Sequence, residues 1–179
     1  MGSEMDDDGF EAIMTAHHAE IHRYLARVTA RSSDADDLSQ ETFLRAYRAW
    51  RGLPADANRR AWLFTIATNL CKNHFRGESR RRRALAAAVH EAAREASSWP
   101  ESEVLAREAH ARVERVVAAL PFKQRLAFVM RKLHGLEYDA IGASLECSGE
   151  SARAHVFQAL KKIRRGLDEL APAQTEPVR

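Results

Sequence analysis

Apolar residues recur three and four positions apart through most of this chain, a spacing that gathers them on one face of an α-helix. Phe10, Ile13, Met14, His17, Ile21, Tyr24, Leu25 and Val28 keep it across residues 10–30. Ser33, with Asp36 three positions on, resembles a capping box with Asp in place of Glu, so a second helix is expected from near Asp34 to Trp50. Gly52, Pro54 and Asn58 then break the pattern, and Asn58 is placed to cap a third helix, RRAWLFTIATNLCKNHFR, with Leu63, Ile66, Ala67 and Leu70 as its buried stripe. Turn-forming and strand-forming residues are scarce in the 179 residues: Gly 8, Pro 5 and 7% aromatic. That balance favours helix, so the expected fold class is all-α.

The helical pattern divides in two. Gly77 and the run Arg80 to Arg83 are expected to end the first module, and the Ala-rich ALAAAVHEAAREASSWP lacks a wide apolar stripe, so it reads as linker with some transient helix. Pro100 suits a first helical position, and Leu105, Ala109, Val113, Val116, Val117 and Leu120 give a stripe ending at Pro121. Helices over Phe122 to Leu133, closed by Gly135, over Tyr138 to Leu145 and over Ser148 to Leu167 follow, before a frayed tail, APAQTEPVR. The organisation expected is two small helical domains, 10–76 and 100–170, joined by a flexible linker, 77–99.

Charge is distributed as unevenly as helix. The net charge is only +3, yet residues 1–20 carry six acids and no Lys or Arg. Residues 45–83 carry eleven basic side chains against Asp56 and Glu78. Arg153, Lys161, Lys162, Arg164 and Arg165 form a second basic block. Two such blocks, one on each module, suit a single polyanion, because clustered cations release counterions from phosphates. On the third helix, Trp62, Thr65, Asn69, Lys72, Asn73 and Arg76 lie opposite the apolar stripe, a polar, basic and partly aromatic face suited to nucleic acid.

The segment YDAIGASLECSGESARAHVFQALKKIRRGL reads as helix, tight turn and helix, with Ile141, Leu145, Ala152, Val156 and Ile163 holding the pair together. Arg153, His155, Phe157 and Gln158 are left outward on the second helix, where a helix-turn-helix meets base edges. A helical hairpin without a DNA role is the plainer account of the same spacing. The attached basic block favours the former.

The stretches DADDLSQETFLRAYRAW and RRAWLFTIATNLCKNHFR resemble region 2 of bacterial sigma factors, in the compact extracytoplasmic-function group, and LPFKQRLAFVMRKLHGLEYDAIGASLECSGESARAHVFQALKKIR resembles that group's region 4. Together they span most of residues 10–167, in the family's order. The resemblance implies a region 2 bundle of three to four helices and a region 4 helix-turn-helix bundle. It implies that Asp37, Leu38, Gln40, Glu41, Phe43 and Leu44 dock on the clamp helices of the polymerase β′ subunit, with the β flap as a further contact of core RNA polymerase. It also implies that the loop GLPADAN holds a flipped base of the minus-ten element, with Arg59, Arg60, Trp62, Asn69, Lys72, Asn73 and Arg76 along the DNA. Extruding a base costs a few kcal/mol, which a pocket and a basic channel must offset without ATP or a catalytic residue. Region 4 would read the minus-thirty-five element through Arg153, His155, Phe157 and Gln158, with Ser148 and Ser151 on phosphate oxygens. Here the chain departs from the family's common Gly-Thr-Val-Lys/Arg-Ser-Arg, carrying Glu150-Ser151-Ala152-Arg153-Ala154-His155, and a frequent Arg is Gln158. An acid and fewer cations weaken nonspecific phosphate attraction, which points to an unusual promoter preference or to reliance on region 2.

The competing reading is a stand-alone helix-turn-helix regulator that binds an operator without polymerase, and the DLSQETF helix discriminates, because an operator binder needs no polymerase-docking surface. An enzymatic or metal-dependent class rests only on His17, His18 and His22, with no carboxylate pair or nucleophile–base set beside them. Cys71 and Cys147 lack CxxC spacing and are expected to be free, half-buried thiols. No apolar run reaches the roughly 18 residues of a membrane span, and the acidic start is unlike a signal peptide, so a cytoplasmic protein without cofactor or stable membrane insertion is expected. The family further implies a dedicated anti-sigma factor. Two modules on a flexible linker lose entropy on compaction, so the compact arrangement is expected to need that partner to dominate.

Overall fold

The structure, a computed structural model, describes residues 3–29, 31–86 and 104–169. Among them the elements are helical: α1 (Ser3–Thr29), α2 (Ser32–Ala49) with a 3₁₀ turn Trp50–Gly52, α3 (Arg59–Ala86), α4 (Val104–Ala118), α5 (Phe122–Phe128) continuing into a π-helical turn Val129–Leu133, α6 (Tyr138–Leu145) and α7 (Gly149–Glu169). The expected all-α architecture of two helical units is the one observed.

α1, α2 and α3 form the first unit. Ile21, Tyr24, Leu25 and Val28 of α1 are fully buried against Ala35, Phe43 and Ala46 of α2 and Leu63, Phe64 and Ala67 of α3. Met14, expected on the same stripe, is 37% exposed. α2 starts at Ser32, ahead of the expected Asp34, and its N-cap Arg31 makes no side-chain capping bond. The expected Ser33–Asp36 capping box is absent for a tertiary reason: Ser33 lies inside the helix, and Asp36 Oδ1 pairs with His22 Nε2 of α1 at 2.7 Å.

Asn58 does cap α3, its Oδ1 accepting from the Ala61 N–H at 3.0 Å. The expected stop at Gly77 is overturned, since α3 runs 28 residues to Ala86. One glycine costs a helix about 1 kcal/mol, which the helix-favouring arginines after it offset. The expected stripe also changes. Ile66 is half-buried while Phe64, Thr68 and Cys71 are fully buried, because α3 is packed on two sides rather than one. The rest of the expected linker and the tail beyond 169 lie outside the described residues, as does Pro100.

In the second unit, Leu126, Val129, Met130, Ile141, Leu145, Ala152 and Val156 from α5, the π-helical turn, α6 and α7 make the core, and Leu120 with Ala159 and Ile163 joins α4 to α7. Gly135 has φ 65° and closes the π-helical turn, where the Leu136 N–H reaches Met130 O at 3.1 Å. The α6–α7 turn is tight: the Cys147 N–H bonds Gly142 O at 2.9 Å, and Glu146 sits in the left-handed region at φ 55°. A Cβ on Gly142 would lie 2.6 Å from Cys147 O and 3.0 Å from Gly149 N, so this turn requires glycine there.

The two units pack directly. α3 lies against α6, and α1 touches the π-helical turn, so the buried side chains of both units form one continuous apolar cluster. Phe75 of α3 meets Phe122 of α5 at a ring separation of 4.8 Å, and the Arg125 guanidinium stacks over both rings.

Candidate nucleic-acid interface

Two surfaces carry the expected DNA residues, one on α3 and one on α7. On α3, Asn69, Asn73 and Arg76 are exposed. Arg59 sits over the Trp50 ring, 5.2 Å from its centroid. Trp62 is half-buried and packs on the core, so only part of the ring is available as a stacking platform. Arg60 is held by Glu20: its Nε donates to Glu20 Oε2 at 2.9 Å, while Nη2 reaches both Glu20 Oε1 and the carbonyl of His134.

Lys72 is the residue most changed by tertiary structure. Its side chain is 11% exposed, and Nζ donates to Ser144 O and Glu146 Oε1, each at 2.9 Å, and to Asn69 Oδ1 at 3.2 Å. Two helical turns before it, Thr65 Oγ1 and Ser144 Oγ are 2.9 Å apart. The end of α6 therefore covers the middle of the α3 face. Beside it an open cleft of about 560 Å³ is lined by Lys72, Phe75, Arg76, Arg80, Lys123 and Glu146. Lys123 comes from α5, and pattern reading missed it because its place beside α3 depends on how the units pack.

The carboxylate at this junction is strongly perturbed. The Arg60 guanidinium, hydrogen-bonded to Glu20, lowers its carboxyl to about 2, with His134 adding to the pull. Burial lowers His134, chiefly by desolvating its charged form, against the raising contact with Glu20. Glu146 is lowered by its bond from Lys72. Burial pushes Cys71 up to about 12, leaving an inert thiol, fully buried rather than half-buried as expected, while Cys147 is partly exposed.

On α7, Ser148 caps the helix, its Oγ accepting from the Ser151 N–H at 3.1 Å. Arg153 is exposed, its guanidinium 5.0 Å from the centroid of the Tyr138 ring, which also receives Arg131 at 4.6 Å. Phe157 is 66% exposed, Gln158 is exposed and His155 is half-buried. Ser148, Ser151, Arg153, Phe157 and Gln158 thus occur on the outward side of the first three turns of α7, with the cations Lys161, Lys162 and Arg164 beyond them.

Of the expected polymerase-docking residues, Asp37, Gln40 and Leu44 are exposed and Glu41 is half-buried, accepting from Arg45 Nε at 2.6 Å. Leu38 and Phe43 are core residues, 8% and 6% exposed. Tyr47, one turn after Leu44 and 49% exposed, extends the surface and was missed in the sequence. The expected flipped-base loop is a short turn, with the Ala57 N–H on Pro54 O at 3.0 Å and its middle exposed.

His18 and His22 stack with ring centres 6.5 Å apart, yet the three histidines of α1 take different polar and aromatic partners. His17 faces Glu20 at 3.6 Å, His22 faces Asp36, and His18 packs at a tilt against Phe43 with ring centres 5.4 Å apart. Among the described residues, no helix is long and apolar enough to cross a membrane.

Comparison with known proteins gives the family. The family model for sigma-70 region 2 matches residues 13–81, and that for sigma-70 region 4 matches residues 110–163. The ECF RNA polymerase sigma-E factor of Escherichia coli (strain K12) is 30% identical over 165 residues, covering 88% of this chain and 86% of the relative. The RNA polymerase sigma-H factor of Pseudomonas aeruginosa is 28% identical over 172 residues, covering 92% and 89%. Among solved structures, the sigma factor RpoE of Bartonella quintana, in complex with the anti-sigma factor NepR, superposes with a TM-score of 0.72 at 19% identity, over 89% of this chain and 97% of that one. CnrH, in complex with the cytosolic domain of CnrY, gives 0.69 at 22% identity, over 92% and 91%.

Proposed function

The chain belongs to the sigma-70 family of RNA polymerase sigma factors, in its extracytoplasmic-function group, and on that premise we propose which of its surfaces do the work of a sigma factor. As a member of that family it binds core RNA polymerase and directs it to promoters, a non-enzymatic role in initiation. It acts in the cytoplasm, where core polymerase and promoter DNA are found.

The domains assigned are residues 10–76 for polymerase docking and the minus-ten element and 100–170 for the minus-thirty-five element, with the helical continuation of α3 beyond Gly77 as the start of the connection. Asp37, Gln40, Glu41 and Leu44 dock on the β′ clamp helices, while the core residues Leu38 and Phe43 shape α2 from behind. Asn69, Lys72, Asn73 and Arg76, with Arg59 and the exposed edge of Trp62, follow the minus-ten strand. Arg60 acts indirectly, through Glu20. Ser148 and Ser151 hold phosphate, and Arg153, Phe157, Gln158 and His155 meet the minus-thirty-five duplex, where Phe157 suits a thymine methyl group.

The observation that carries this reading is the burial of Lys72 under α6. A lysine that must follow a DNA strand cannot do so while its ammonium is bonded to Ser144 O and Glu146, so the packed arrangement is a closed state. Opening separates the two units, frees Lys72 and lets α3 and α7 reach two promoter elements. The related RpoE fold occurs in a complex with an anti-sigma factor, and a partner of that class suits the closed state of this chain.

Run-off transcription with core polymerase on a promoter library tests the proposal. Specific transcripts appear only with this protein added. Operator binding with no polymerase-dependent product would instead support the stand-alone regulator.

A further inference from the structure

We propose that Asp34, His74 and Glu78 form a binding site for a first-row divalent cation such as Zn²⁺, at the junction of α2 and α3. Asp34 lies in the first turn of α2, and His74 and Glu78 are four residues apart on α3, so their side chains project from the same face one turn apart. One nitrogen and two carboxylate oxygens, all partly buried, lie within 4.8 Å of one another. Zinc binds such donors at about 2.0–2.2 Å, so a small contraction of the three side chains would close the set around one ion and leave a position for water. An imidazole with carboxylates suits Zn²⁺, Co²⁺ and similar ions better than Mg²⁺ or Ca²⁺, which prefer all-oxygen shells.

A second observation is the state of His74. Its Nε2 is inaccessible to solvent and makes no hydrogen bond, although Asp34 Oδ2 is 3.4 Å away. A buried ring nitrogen beside a carboxylate and lacking a hydrogen bond calls for an explanation. A cation between the two atoms accounts for both the separation and the absence of a hydrogen bond. Glu78 Oε1 also faces Arg31, whose Nη1 is 3.7 Å away with a side chain 66% exposed, and a bound ion would compete with that exposed pair. Bound there, the ion would staple the start of α2, the helix of the proposed docking residues, to α3.

The test uses the full chain, stripped with a chelator and titrated with Co²⁺ and Zn²⁺. One Co²⁺ per chain is expected, with a visible absorption band, together with a Zn²⁺-dependent rise in Tm. His74→Gln and, separately, Asp34→Asn should each weaken binding at least tenfold while the far-ultraviolet circular dichroism stays unchanged. His18→Gln, which disrupts the His18–His22 pair on α1 away from the proposed site, should leave binding intact. No saturable binding at 100-fold molar excess of metal, binding unchanged in a folded His74→Gln or Asp34→Asn variant, or loss confined to His18→Gln would each overturn the proposal.

Discussion

Glu20→Gln should separate the electrostatic part of the closed state from its apolar packing. The Glu20 carboxylate, 19% exposed, faces Arg60 of α3, His134 of the second unit at 3.3 Å, and His17 of its own helix at 3.6 Å. Its carboxyl is lowered from an ordinary 4.5 to about 2, chiefly by the Arg60 bond. A displacement of that size corresponds to about 3 kcal/mol of preference for the ionised form, and the water still reaching the 35% exposed Arg60 head reduces the net to about 2 kcal/mol. A depressed carboxyl stabilises the fold above its ordinary value, and the contribution fades as pH falls from 4.5 through about 2. The variant should therefore unfold about 2 kcal/mol more easily in urea at pH 7, about 4–8 °C in Tm. The gap to the wild type should shrink by more than half at pH 3. Labels in residues 10–76 and 122–167 should report a longer or broader separation in the variant, because Arg60 loses the partner that aims it at the His134 carbonyl. A gap under about 0.5 kcal/mol at pH 7, or one that is the same at pH 3, would refute the reasoning.

Three further outcomes are expected. Arg153→Ala should weaken binding to a minus-thirty-five duplex by about 1–3 kcal/mol and relax preference at one base pair, measured by fluorescence anisotropy on base-substituted duplexes; unchanged affinity and preference would remove Arg153 from the interface. Asn69→Ala should leave core-polymerase binding near normal but impair open-complex formation, read by permanganate footprinting. The same experiment on Trp62 needs Trp62→Phe, because truncating a half-buried ring also disturbs the core. Gly142→Ala should lower Tm sharply, since the new methyl would sit 2.6 Å from the Cys147 carbonyl and either α6 or the turn must move.

The features legible in the sequence are those settled within a few residues. Asn58 caps α3 because its side chain bonds a backbone N–H three residues away, and Ser148 caps α7 in the same way. Gly135 and the short α6 also follow from local chemistry. Long-range competition produced the departures. Ser33 lost its capping role when His22 took Asp36, a partner fourteen residues away. Phe64 replaced Ile66 in the core because Tyr24 and His134 enclose it, at ring distances of 5.0 and 5.2 Å. The expected docking motif mixed two kinds of residue: Leu38 and Phe43 are buried, whereas Asp37, Gln40 and Leu44 are exposed. Pattern alone assigned Lys72 correctly to the polar face of α3, but its burial under α6 depends on the packing of two units that no local signal encodes.

The left-handed residue in the α6–α7 turn places two demands on one position. Glu146 adopts φ 55°, a conformation that costs a non-glycine residue about 1–2 kcal/mol, and its carboxylate holds Lys72 at 2.9 Å. Glycine there would remove the backbone strain and the ion pair together. A selection for heat tolerance would thus favour glycine in this turn, and the survivors would be better folded yet easier to open. Robustness and restraint therefore trade against each other at Glu146, and a population selected under heat should drift toward variants active with less provocation.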